Sequence, residues 1–152
     1  MPKIDIDKIP IDTATGYPPP HNKAVEGRSR KRLARAAGLS QFGVNVCTLK
    51  PGAASSQRHW HENEDELVYV LDGELTLVET EGETILRQGD AAGFKAGVAN
   101  GHHLVNRSGR DAVYLEIGSR AKRERAHYPD VDMMMVRDDK GMRYTHKNGE
   151  PY

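Results

Sequence analysis

The chain has 152 residues, enough for one domain with a real hydrophobic core and not for two. Only 37% of residues are apolar and 29% are charged, so much of the chain is solvated surface, arm or loop. Twenty-two Lys and Arg balance 22 Asp and Glu, which argues against a nucleic-acid or anionic-membrane partner, and the single cysteine, Cys47, excludes an intramolecular disulfide.

Residues 1–27 hold five of the eight prolines, including Pro18-Pro19-Pro20, and read as an extended arm. The opening MPKIDIDKIP lacks the apolar stretch of a signal peptide, and no 18-residue apolar run follows, so a cytoplasmic protein is expected. Residues 28–37, RSRKRLARAA, are good helix formers ending at Gly38, and predict one short helix with a glycine stop. Its basic residues read as a solvated face, since no second recognition helix accompanies them.

From Gln41 the pattern turns to β. Short runs rich in Val, Leu, Ile, Thr and aromatics lie near 42–49, 66–71, 75–79, 84–87, 102–105 and 113–117. They are punctuated by Pro51-Gly52, Asp72-Gly73, Glu81-Gly82, Gly89-Asp90, Gly97, Gly109 and Gly118, a rhythm that predicts an all-β sandwich or barrel. The chain thus divides into an arm and short helix (1–40), a barrel (41–118) and a C-terminal extension (119–152) whose terminal stretch could form a hairpin or strap.

The chemistry concentrates in PGAASSQRHWHENEDELVYVLDG. His59 and His61, two apart on a strand, face the same way about 6.5 Å apart. Two imidazoles with a carboxylate beyond a turn suit a borderline divalent metal, whereas an isolated pair of this kind could equally be surface histidines. The stretch resembles the first motif of the cupins: Gly52, then His59 and His61, then Glu66, then Gly73 after six residues. Glu64 and Asp65 compete with Glu66, but only Glu66 keeps that six-residue interval. Downstream, GDAAGFKAGVANGHHLVN is similar to the second motif, with Gly89, Gly97, His102 and Asn106 in its roles. Lys95 stands where the family usually has proline, and two extra residues separate Gly97 from the histidine. His102 and not His103 keeps the family interval to Asn106, and it shares a strand face with Leu104 and Asn106.

The resemblance covers roughly residues 41–118. It implies an all-β double-stranded β-helix whose interior holds one divalent transition metal, Fe, Mn, Zn or Ni, on His59, His61, Glu66 and His102. Open positions on such a metal suit catalysis on a small oxygenated molecule, by isomerase chemistry of the sugar-phosphate kind or by dioxygenase chemistry. A binding or sensor module without turnover is the reading from another class. Strand alternation aims Gln57 inward beside the histidines, and Gln57 and Asn106 are candidates for contacting a substrate or for supporting the groups around the metal; Arg58 and Trp60 would face outward. Inward Glu66, Val68 and Val70 leave Leu67, Tyr69 and Leu71 on the opposite face. The arm or a second subunit must cover them, and a homodimer is expected.

Overall fold

The structure, a computed structural model, describes residues 3–152; Met1 and Pro2 of the expected arm lie outside the described residues. After two short 3-10 turns, Ile6–Lys8 and His21–Val25, the chain forms β1 (Arg28–Arg32) and the single helical turn α1 (Leu33–Ala36). Then come β2 (Phe42–Leu49), β3 (Trp60–His61), β4 (Glu66–Asp72), β5 (Glu74–Glu79), β6 (Gly82–Arg87) and β7 (Ala91–Phe94). The order continues with β8 (His103–Val105), β9 (Ala112–Ser119), β10 (Glu124–Tyr128), β11 (Met133–Asp138) and β12 (Gly141–Thr145).

Two antiparallel sheets face each other. One has the order β1-β2-β9-β4-β7 and the other β6-β5-β8. Alternation along each strand decides what lies between them: Cys47 and Leu49 of β2, Val68 and Val70 of β4, and Tyr114 of β9 pack against Leu75, Leu77, Leu86 and Leu104. Gly73, which closes the first motif, has φ +86°, and a Cβ there would meet the Ala112 Cα at 3.0 Å and the Asp111 carbonyl at 3.1 Å. Both obstacles are backbone, so only glycine lets the β4–β5 turn lie against β9.

Two segments differ from the sequence expectation. The helix expected over 28–37 is a strand for its first half, because Arg28–Arg32 pair with Leu49–Asn45 along the edge of β2. A ten-residue helix is marginal alone, whereas here β2 takes backbone bonds on one side of the segment and Asp12 exchanges two with Arg30 on the other. Only the end of the segment keeps the helical turn, where the Leu39 N–H donates to the Ala34 carbonyl at 2.9 Å beyond the predicted stop.

The C-terminal extension, for which a hairpin or strap at most was expected, forms a meander in the order β12-β11-β10-β3. It has a small core of its own, with Ala126, Tyr128, Met133 and Met135 packed by Tyr17 from the arm and by Tyr144. Its innermost strand, β10, pairs Ala126 with His61 and His127 with Trp60, so the extension is built directly onto the strand that carries the histidine pair.

Candidate metal centre

Three imidazoles and one carboxylate converge inside the barrel. Glu66 opens β4, and its Oε2 lies 3.5 Å from His59 Nε2 and 3.0 Å from His102 Nε2, while its Oε1 lies 3.6 Å from His61 Nε2. His59 and His102 are locked opposite each other by reciprocal backbone bonds, His59 N–H to His102 carbonyl at 3.1 Å and His102 N–H to His59 carbonyl at 2.9 Å. Gly97, with φ +77°, turns the β7–β8 connection so that its N–H reaches the His61 carbonyl at 2.9 Å.

The two-residue insertion does not move His102 away. Asn100 anchors it, donating to Glu79 at 2.9 Å and accepting the Thr80 N–H at 3.1 Å. Lys95 replaces the family proline, and the turn is held instead by the Ala96 N–H, which donates to Asp65 at 2.8 Å. The His102 ring then stacks on Phe94 with centroids 3.5 Å apart. His103 points elsewhere, its Nδ1 2.9 Å from the Ser56 carbonyl.

The competing carboxylates are occupied. Glu64 is buried against Arg137 at 2.6 Å and accepts the Ala121 N–H at 2.8 Å. Glu66 is left to the histidines. Burial pushes its carboxyl pKa up, but hydrogen bonds from His102 and His59 and the nearby imidazole charge hold it well below the usual range. The same pairing divides the histidines. Burial works against the charged form of both, yet Glu66 lifts the His59 pKa above its ordinary value, while His102 falls below it.

The donor set fits a divalent metal. His59 Nδ1 donates to the Gln57 carbonyl at 2.9 Å, which leaves Nε2 to face Glu66. Neighbouring donors around an ion bound at roughly 2.1 Å lie about 3 Å apart, and the nitrogen-to-carboxylate distances here run from 3.0 to 3.6 Å. Imidazole nitrogens crowded about one carboxylate need protons or a cation between them, and His59, His61 and Glu66 could hold a metal ion. Two cavities border the cluster, both lined by Glu66, Phe94 and His102. The inner one, about 160 Å³, lies toward β1 and β9; the outer one, about 210 Å³, lies toward Trp60, Lys95 and Val98.

The side chains of Gln57 and Asn106 are both bonded to the protein, while the Gln57 carbonyl supports the His59 ring. The Gln57 amide reaches the His21 carbonyl of the arm at 3.4 Å, because the strand begins only at Trp60 and the alternation does not extend back to residue 57. Asn106 is fully buried and consumed by its loop, donating to the Leu49 and Arg110 carbonyls at 2.8 Å each and accepting from Ser108. The outward pair meets the C-terminal extension: Trp60 stacks on His127 at 4.2 Å and Arg58 makes a two-pronged bond to Asp130 at 2.8 and 2.7 Å.

Sequence reasoning missed Glu124. This buried carboxylate on β10 lies 3.7 Å from His61 Nδ1, on the side of the ring away from Glu66, and accepts backbone N–H groups from Glu62, Asn63 and Arg125. His61 Nδ1 is buried and has no hydrogen-bond partner among the described residues, so a small approach would complete a carboxylate–imidazole pair.

Comparison with known proteins gives the class. The cupin domain family matches residues 45–118. The structure of a sugar phosphate isomerase from a cupin superfamily, from Silicibacter pomeroyi, is 47% identical with a TM-score of 0.95, covering 99% of this chain and 96% of that one. A candidate sugar phosphate isomerase from Acidithiobacillus ferrooxidans is 29% identical with a TM-score of 0.74, covering 82% and 80%. The polyketide cyclase of Streptomyces resistomycificus, 17% identical with a TM-score of 0.66 over 91% and 85%, shares the fold. No curated protein matches the chain. The chain belongs to the cupin superfamily.

Proposed function

We propose that the chain is a metal-dependent enzyme acting on a small oxygenated molecule, with isomerisation of a sugar phosphate as its reaction class. The observation that carries the reading is the convergence of His59, His61, His102 and Glu66 beside two cavities. The name of the Silicibacter pomeroyi neighbour supports the isomerase class. A divalent ion, Fe, Mn, Zn or Ni, would supply Lewis-acid polarisation of a carbonyl or hydroxyl oxygen. Aldose–ketose interconversion also needs a group that carries a proton between adjacent carbons. Glu116 takes that role: it borders the inner cavity, and the Asn45 amide fixes its Oε1 at 2.8 Å. Phe94 and Val68 give this cavity its apolar wall, which limits water around the reacting carbons.

The test is turnover of sugar phosphates, followed by NMR, with each of the four metals in turn. Glu116→Gln is expected to keep its metal and lose about 100-fold or more in kcat, whereas Glu66→Gln loses metal and turnover together. Full turnover by metal-free Glu66→Gln protein would overturn the reading. Tight binding of a sugar phosphate by wild type, without turnover under any metal, would favour a binding module.

We further propose that the working unit is a homodimer. Leu67, Tyr69 and Leu71 are 41%, 40% and 36% exposed. The sheet registers set Leu67 beside Ile117 and Val44, and Tyr69 beside Leu115 and Val46, so the outer face is continuously apolar. A second copy meeting this face about a two-fold axis buries like against like and needs no charge complement. Light scattering at micromolar concentration should give twice the chain mass of 16.9 kDa, and Tyr69→Lys should give one. A monomeric wild type would sink the idea. A reducing, cytoplasmic setting agrees with the buried free thiol of Cys47.

A further inference from the structure

The inner cavity carries positive charge that a metal centre does not call for. On β1, Arg28 lies opposite Leu49, Arg30 opposite Cys47 and Arg32 opposite Asn45. Leu49 and Cys47 face the core, and Arg28 and Arg30 on the same face of β1 border the inner cavity. Arg32 is matched by Asp12 at 2.5 Å. Arg28 and Arg30 make no ion pair among the described residues. Arg28 donates to the Ser55 carbonyl at 2.6 Å and weakly to the Ala14 carbonyl at 3.5 Å, and Arg30 donates to the same Ala14 carbonyl at 2.9 Å.

Polar groups beside them lack partners. Arg30 Nε and the Tyr114 hydroxyl are buried with no hydrogen-bond partner among the described residues. The two stand in one row across the sheet, with Cys47 of β2 between them, and both border the inner cavity. Burial, and the charge of Arg28 beside it, bring the Arg30 pKa below its ordinary value. Glu116 and Glu66 both border the cavity, but Glu66 is engaged by the histidines, so Glu116 alone faces the two guanidinium groups. A part-buried guanidinium whose Nε is sealed from water without a partner is costly to keep unless something anionic fills the gap. A cavity of about 160 Å³ is roughly ten times the least space that holds a water, enough for an oxyanion with a few carbons.

We propose that the inner cavity is an anion subsite, in which Arg28, Arg30 and Tyr114 hold the phosphate or carboxylate end of the substrate. His59, Glu66 and His102 line the same cavity, so a short substrate held there presents its remaining oxygens to the metal centre. This last step rests on the enzyme reading; the anion subsite itself does not. Planar, multi-donor guanidinium recognition is common to phosphate and carboxylate, so the two sources must be told apart by titration.

Inorganic phosphate and acetate are titrated separately by calorimetry into metal-loaded wild type, Arg30→Gln, Arg30→Lys and Tyr114→Phe, with metal content measured in each. Wild type should bind one of the two anions, phosphate if the substrate end is a phosphate and acetate if it is a carboxylate. Arg30→Gln should weaken that binding about tenfold or more, and Tyr114→Phe by about threefold, with metal content unchanged. Arg30→Lys keeps the charge and should recover part of the loss, and Tyr114→Phe keeps the ring packing, so a misfolded Arg30→Gln protein does not decide the matter. Equal affinity in wild type, Arg30→Lys and Tyr114→Phe overturns the proposal, as does a wild type that binds neither anion. Anion binding lost in metal-free Glu66→Gln but kept in Arg30→Lys at the wild-type level would put the anion on the metal, and likewise overturns it. Arg30-dependent binding without turnover of any sugar phosphate leaves the subsite standing and removes the isomerase assignment alone.

Discussion

His102→Ala is expected to abolish tight binding of a divalent ion, with affinity falling by more than about 100-fold, while His103→Ala stays within about threefold of wild type. The threshold follows because groups that merely back a metal ligand already cost 10–100-fold when removed. The two residues are adjacent in sequence but have different surroundings. The His102 backbone exchanges two hydrogen bonds with His59, and its ring lies flat on Phe94. That fixes its Nε2 3.0 Å from Glu66. Alanine there removes one of the converging donors, and neither clamp can bring another nitrogen into its place. His103 gives its Nδ1 proton to the Ser56 carbonyl and takes no part in the cluster around Glu66. Chelator competition with a chromogenic indicator, together with elemental analysis, checks both variants. The reverse order of effects would mean that the strand is displaced by one residue.

How much of this was legible follows from which signals are local. The strand runs and their turns are local, and the barrel follows from them. Gly73 is marked by a contact with the backbone of the adjacent strand β9, far away in sequence, yet its place in the motif interval made it visible. The strand over Arg28–Arg32 was hidden because its composition favours helix, and the edge of β2 that captures it lies outside the segment itself. The alternation argument held at Leu67, Tyr69 and Leu71, inside a seven-residue strand. It failed at Gln57, where the chain is irregular until Trp60. Asn106 illustrates a different limit: its interval is legible, but only the fold reveals that its amide is spent on the Leu49 and Arg110 carbonyls. The C-terminal meander was only partly legible because its apolar residues come in short groups, Ala126 and Tyr128 and then Met133-Met134-Met135-Val136, set apart by charges. Their partner strand is only two residues long.

That meander is also where the second large effect is expected. Glu124→Ala should lower stability by about 3 kcal/mol or more and metal affinity by about 10–100-fold. Glu124 is 1% exposed and its carboxylate accepts the N–H groups of Glu62 at 2.9 Å, Asn63 at 3.0 Å and Arg125 at 2.8 Å. Each orphaned buried donor costs about 1–3 kcal/mol, and for a chain of this size such a loss lowers the melting midpoint by roughly 6–12 °C. The metal effect has a separate origin. Glu124 Oε1 sits 3.7 Å from His61 Nδ1, and burial, which would raise its pKa, is outweighed by His61 and the backbone donors, so the carboxyl stays below its ordinary range. An anion behind the ring raises the basicity of the opposite nitrogen and fixes the ring's orientation. Glu124→Gln separates the two roles. Its amide oxygen can still accept backbone N–H groups and should restore part of the stability, but the charge behind His61 is gone and metal affinity should remain low. Thermal melts and chelator competition on both variants give the two readouts independently. Metal affinity unchanged in Glu124→Gln would reduce Glu124 to a clamp between β10 and the loop after β3.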